Sequence, residues 1–203
     1  MITDEGIESN FATNYLARFA LTGWLLALLR AGARPEQAAR VLLISGAAQA
    51  GRVYFDDVNL TSNFSTLRVV LQSCRANDLF TLEQARRLAS EALSPYIVIS
   101  CLKLGVIKTN IRGELPWWMK LLVPLVFDPL LGQTPSQAAE AALRLLLADE
   151  FERTTGALFS KIRTFRRLAT DARAPDCADA RRLWELSERM VATALSRVPV
   201  AAK

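Results

Sequence analysis

The chain has 203 residues, 51% of them hydrophobic and 22% charged, which suits one globular domain around one sizeable core and excludes a disordered or low-complexity polyelectrolyte. Its 25 Lys and Arg against 20 Asp and Glu give a net charge of +5, but the signs alternate along the chain, so no nucleic-acid role is expected. Histidine is absent, which removes histidine general bases, Ser-His-Asp and Cys-His nucleophile systems and nearly every ordinary zinc site, and no metal centre is expected.

Residues 1–11 carry Asp4, Glu5 and Glu8 and no apolar core, so no signal peptide is expected. From 7 to 30, "IESNFATNYLARFALTGWLLALLR", apolar positions recur at helical spacing and stop before Gly32, which predicts a long helix. Its later half is apolar nearly all round, as for a helix covered by its own domain and by a partner. In "ARVLLISGAAQAG", Val41 to Ile44 predict a short, fully buried strand followed by small residues that permit close approach. "RVYFDDVNLTSN" reads as a loop or short hairpin, with Asp56 and Asp57 as turn and cap in preference to an acid/base pair.

A second long helix follows over 67–90, with Ser65 or Thr66 as N-cap. "YIVISCL", Tyr96 to Leu102, predicts a second buried strand that runs into "KLGVIKTNI". The stretch from Leu115 to Leu131 is rich in Pro and Trp and predicts an irregular lid, within about 112–133. Lys120, Pro124 and Asp128 interrupt it, and the run Phe19 to Leu29 is too short to span a bilayer, so no transmembrane segment is expected. Thr134, Pro135 and Gln137 open another helix with a capping box. "GALFSKIR" predicts a third strand, the basic residues Lys161, Arg163, Arg166 and Arg167 around Phe165 a solvated face, and "CADARRLWELSERMVATAL" a C-terminal helix. Cys74, Cys101 and Cys177 are odd in number and widely spaced, as for reduced packing thiols in a cytoplasmic protein. Helix alternating with strand predicts an α/β layer of three parallel strands packed by long helices, in one domain over 1–203.

The stretches "GIESNFATNYLARFALTGWLL", "GRVYFDDVNL", "RANDLFTLEQARRL", "GVIKTNI", "PWWMKLLVPL" and "RRLWELSERM" together resemble the short-chain dehydrogenase/reductase superfamily, in the branch that includes retinol dehydrogenases and WW-domain oxidoreductases. The resemblance implies an incomplete Rossmann-like layer. The family's glycine-rich turn, which holds a nicotinamide cofactor's pyrophosphate on backbone amides at a helix N-terminus, has no counterpart here, nor has its Asn-Asn-Ala-Gly strand. A domain truncated at its N-terminus and without a bound cofactor is the expectation.

The family's reactive residues carry over one by one. Its structural Asn falls on Asn14. Its catalytic Ser, the second of a Ser-Ser pair, falls on Gly46, preceded by Ser45, which strand alternation would aim at the opposite face. Its Y-x-x-x-K falls on Val70 and Cys74, and no tyrosine occurs between Tyr54 and Tyr96. Its Pro-Gly reads Leu104-Gly105, and the Thr that meets the nicotinamide amide falls on Thr109. The family's chemistry needs a phenol made acidic by a neighbouring ammonium, and valine with a thiol supplies neither. Asn14, Ser45 and Cys74, the last beside Arg75, remain the catalytic candidates and Thr109 the cofactor-binding one, each with a plain structural alternative.

Two functions are compatible with this pattern. The first is a degenerate relative without hydride transfer, acting as a binding or partner subunit. It would form a homodimer, or a heterodimer with an intact short-chain dehydrogenase, through the helices 7–30 and 67–90. The second is a non-redox isomerase, cyclase or dehydratase that shapes a lipophilic small molecule in a pocket lidded by Trp117, Trp118, Met119 and Leu121.

Overall fold

The computed structural model describes residues 1–34, 36–46, 51–91, 96–108, 132–162, 164–169 and 174–197. The expected first helix is a continuous rod of three parts: α1 (Ser9–Phe11), a π-helical turn (Ala12–Leu16) and α2 (Ala17–Gly32). Glu8 caps it, its carboxylate accepting from the Phe11 N–H at 2.8 Å, which satisfies one of the donors a helix start leaves free. Within the wider turn the Ala17 N–H reaches back to the Ala12 carbonyl. Phe11, Tyr15, Leu16, Phe19 and Ala20 are buried along one side of the rod, while Leu21, Trp24, Leu25 and Leu28 stay exposed on another.

The sheet has the order β1 (Ala39–Gly46), β2 (Ile97–Leu104), β3 (Ala157–Lys161), β4 (Phe165–Arg167). The first three are parallel, as the α/β alternation predicts, and β4 runs antiparallel to β3. The three expected parallel strands are all present, and the fourth, antiparallel strand is an addition to them. Three residues with a single apolar side chain leave no period to read, yet Phe165 stacks on Phe159 at 5.5 Å and lies under the Arg144 guanidinium at 4.9 Å, a contact set that holds the segment in the sheet. The full burial expected of β1 is corrected. All eight residues of β2 are buried, whereas in β1 only Leu43 and Ser45 are, and Ile44 is 46% exposed. Among the described strands only β2 pairs with β1, so no described strand covers the other edge of β1, where the Ile44 carbonyl accepts from Arg18.

Two apolar layers flank the sheet. On one face α3 (Thr66–Ser90), the N-terminal rod and α5 (Ala174–Arg197) enclose Leu43, Ile99, Cys101 and Leu158. Here Phe19, Phe80 and Trp184 meet with ring centres 4.9 to 5.9 Å apart. On the other face α4 (Pro135–Leu147) covers Leu102, Leu104 and Phe159. The expected capping box opens α4, with the Thr134 hydroxyl accepting from the Gln137 N–H and the Gln137 side chain accepting from the Thr134 N–H. Ser65 is the N-cap of α3, although its side chain makes no capping bond.

The segment between β1 and α3 is a loop, not a hairpin, and Gln72 pins it by accepting from the Tyr54 N–H and donating to the Val58 carbonyl, at 2.9 and 2.8 Å. Gly51 lies so close to α3 that a Cβ would fall 2.1 Å from the Leu71 carbonyl oxygen. Cys74 and Cys101 are buried packing thiols, but Cys177 is exposed, which corrects that expectation; it lies in the first turn of α5, outside the core. Among the described residues no helix is long and apolar enough to cross a membrane.

Candidate functional site

In a parallel sheet, ligands bind beyond the carboxyl ends of the strands. At the end of β1 a cleft of about 270 Å³ opens between the strand, the π-helical turn and α3. It brings together Asn14, Ser45 and Cys74, three residues far apart in sequence, with Gly46, Val70 and Asn77. Ser45 is 8% exposed, and its Oγ has no hydrogen-bond partner. This corrects the expectation that alternation aims Ser45 away. The strand places residues 43 and 45 on the helix-covered face, and Ile44 turns outward.

Asn77 is the residue that sequence reasoning missed. Its Nδ2 donates to the carbonyls of Asn14 and Ser73, at 2.9 and 2.8 Å, which leaves Oδ1 buried and unmatched. Ser45 and Asn77 thus present a hydroxyl and an amide carbonyl with spare hydrogen-bonding capacity, a combination that buried polar groups rarely keep unless a small polar molecule completes it. The signal was its place in "RANDLF", three residues beyond Cys74 on the same helix face. The neighbouring wall is organised by Ser73, whose hydroxyl donates to Asn10 Oδ1 at 2.8 Å, and by Arg18, whose guanidinium donates to the Ile44 carbonyl.

Among the described residues that border this cleft there is no tyrosine and no lysine. Val70 borders it with an alkyl group 39% exposed. Cys74 Sγ lies 3.1 Å from where a Cβ on Gly46 would stand, so the thiol occupies the room that a longer side chain at 46 would need. None of the three tyrosines borders the cleft. Tyr15 sits in the core with its hydroxyl 2.7 Å from Ser187 Oγ, and burial, only partly countered by that bond, pushes its phenol well above the ordinary range. Arg75, the expected activator of Cys74, is instead paired with Asp176 at 2.5 Å. Cys101 on β2 is held firmly as a thiol, by burial first and by the Asp78 carboxylate second, so it is inert as a nucleophile. The described residues of the cleft therefore do not fit a nicotinamide cofactor poised for hydride transfer.

Asp57 behaves as the expected cap, accepting from the N–H groups of Thr61 and Ser62 at 2.8 and 2.9 Å, bonds that hold its carboxyl below the ordinary range. Asp56 pairs with Arg182 at 3.0 Å. Thr109, Trp117, Trp118, Met119 and Leu121, with nearly all of the expected lid, lie outside the described residues.

Comparison with known proteins adds three findings. The chain is 30% identical over 199 residues to human retinol dehydrogenase 14, covering 94% of this chain and 54% of that protein. A solved structure of an uncharacterized protein from Mycobacterium paratuberculosis superposes with a TM-score of 0.63 at 25% identity, over 95% of this chain and 62% of that one. A structure from Burkholderia xenovorans described as a short-chain dehydrogenase/reductase gives 0.55 at 22% identity, over 79% and 55%. The chain spans about half the length of the curated relatives it matches. No family model matches it.

Proposed function

We propose a function from one premise: the chain belongs to the short-chain dehydrogenase/reductase superfamily, on its retinol dehydrogenase-like branch. Relatives on that branch are named as dehydrogenases. This chain instead acts as a binding or partner subunit that does not transfer hydride. The observation that carries the reading is the pairing of Val70 with Cys74 at the strand-end cleft, where an aliphatic group and a thiol packed on Gly46 stand in place of an acidic hydroxyl beside a cation. A polar molecule small enough for about 270 Å³ would engage Ser45 and Asn77 there without being reduced or oxidised.

The partner half of the reading is supported by the surface. The edge of β1 that no described strand covers and the exposed stripe Leu21, Trp24, Leu25 and Leu28 on α2 adjoin one another around Ala39, as surfaces do that a second chain covers. That chain is a second copy or an intact relative. A cytoplasmic location belongs to the same proposal, in keeping with three free cysteines.

The test titrates the purified chain with NADH and NADPH and follows nicotinamide fluorescence, with light scattering after size exclusion on the same sample. The expected result is no saturable binding in the micromolar range and a mass above that of one chain. Saturable micromolar binding of either nucleotide refutes the absence of a nicotinamide cofactor, turnover of nicotinamide with an alcohol or aldehyde refutes the loss of hydride transfer, and a monomer at all concentrations refutes the partner role.

A further inference from the structure

The residue register continues the polar line of the cleft across the whole sheet. Ser45 pairs with Lys103, Lys103 with Ser160 and Ser160 with Arg166, so four polar side chains share one face near the carboxyl end of the parallel strands. Helix α3 crosses this line and divides it. On the side away from Ser45 lies a second, larger cavity of about 430 Å³, bordered by Arg75, Asp78, Lys103, Arg166 and Asp176, with Leu158 and Leu168 as its apolar wall. Its size is that of sites for small molecules.

The floor of this cavity is an ion pair in the core. Lys103 Nζ donates to Asp78 Oδ2 at 2.5 Å, with side chains 1% and 5% exposed. The other carboxylate oxygen, Oδ1, is buried and has no partner. Burial, outweighing the attraction of Lys103 and Arg75, raises the Asp78 carboxyl above the ordinary carboxylate range. Arg75 is spent on Asp176, whereas Arg166 and Arg167 are exposed and make no ion pair with a described residue. Four cations, Arg75, Lys103, Arg166 and Arg167, thus border the cavity with two carboxylates, Asp78 and Asp176, and of the two strand arginines it is Arg166 that shares the sheet face of Lys103.

Two needs are left unmet, and they differ in sign. Asp78 Oδ1 lacks a donor, and the Arg166 guanidinium lacks an anion whose oxygens match its fork of N–H groups. Water alone answers the first need and a buffer anion the second, but one molecule that carries both groups answers them together. We propose that this cavity binds a small hydroxylated anion, its phosphate or carboxylate held by Arg166 and its hydroxyl donating to Asp78 Oδ1. The site is separate from the strand-end cleft and independent of whether that cleft binds a nucleotide.

Calorimetric titration of the whole chain at low ionic strength tests the assignment with three probes. Glycerol 3-phosphate carries both groups, propyl phosphate lacks the hydroxyls, and glycerate replaces the phosphate by a carboxylate. Saturable binding of glycerol 3-phosphate or glycerate is expected, and the tighter of the two identifies the anionic group. Propyl phosphate is expected to bind at least about ten-fold more weakly than glycerol 3-phosphate, the weight of one hydrogen bond to a charged group. Arg166→Gln, an exposed change that leaves the core untouched, is expected to weaken the better probe about ten-fold. Asp78→Asn, checked for folding by its thermal transition, removes the preference for the hydroxylated phosphate. Absence of saturable binding by every probe, equal affinity for the two phosphates, or full affinity in Arg166→Gln overturns the proposal; the comparison of the two phosphates needs no variant.

Discussion

Replacing Asp78 by alanine strands Lys103, whose side chain is 1% exposed and whose ammonium has Asp78 Oδ2 at 2.5 Å. Removing one partner of a buried pair costs about 3–5 kcal/mol, because the desolvated charge that remains has lost its compensation. For a chain of this length each kcal/mol moves the thermal midpoint by about 2–4 °C, so Asp78→Ala is expected to melt roughly 6–20 °C below the parent. Changing both residues, Asp78→Leu with Lys103→Met, removes both charges and the unmatched Oδ1 together. That double variant is expected to be as stable as the parent or about 1–4 kcal/mol more so. Urea unfolding followed by tryptophan emission reads both, since Trp184 packs between Phe19 and Phe80. A loss below about 1 kcal/mol in the single variant, the range of solvated surface pairs, or a double variant no better than the single, would refute the argument.

Gly51→Ala puts a methyl group 2.1 Å from the Leu71 carbonyl oxygen and 2.8 Å from its carbon; since backbone cannot step aside as a side chain can, a loss of about 2 kcal/mol or more is expected, and an unchanged midpoint in urea would contradict it. Glu83 is pushed up by burial, but the guanidiniums of Arg86 and Arg87, at 2.7 and 2.9 Å, outweigh this and hold it below its ordinary 4.5. Its contribution to stability is therefore present above that value and lost as pH falls through the lowered one, so the gap between the parent and Glu83→Gln should close on acidification. Asp78, raised by burial, has the opposite sign: its contribution is present below the ordinary carboxylate range and declines as pH rises through the raised value, which stability curves of the parent and Asp78→Asn between pH 3 and 8 would expose as divergence in the other direction. Thr134→Ala removes the hydroxyl of the α4 capping box and is expected to cost about 1 kcal/mol in thermal unfolding.

The long helices and the three parallel strands were legible because each is long enough to display its period: Phe11, Tyr15 and Phe19 on the rod, and the unbroken apolar run of β2. The fourth strand was not legible, since Phe165 is its single apolar residue and its place depends on Phe159 and Arg144, far away in the chain. In the cleft, substitution arithmetic found Asn14, Ser45 and Cys74 but misjudged where Ser45 faces, because the face is decided by which side of the sheet carries α3. Lys103 left a readable trace: a charged residue inside "IVISCLKL", in a strand buried at every position, demands a counter-charge. Its partner Asp78 was hidden on a helix in the midst of packing residues, and only the register of α3 over β2 joins them.

The wide turn at Ala12–Leu16 binds the N-terminal residues to a counting rule. That turn holds one residue more than an α-helical turn, so excising one residue there would return the rod to uniform α pitch with the phase of everything upstream nearly unchanged. Ile7 and Phe11 would keep their side toward the interior, and the Glu8 cap its bond to Asn59. A single-residue deletion is therefore expected to be far less damaging at this point than within the α-helical stretch Ala17–Gly32, where it would rotate everything upstream by about 100° around the axis.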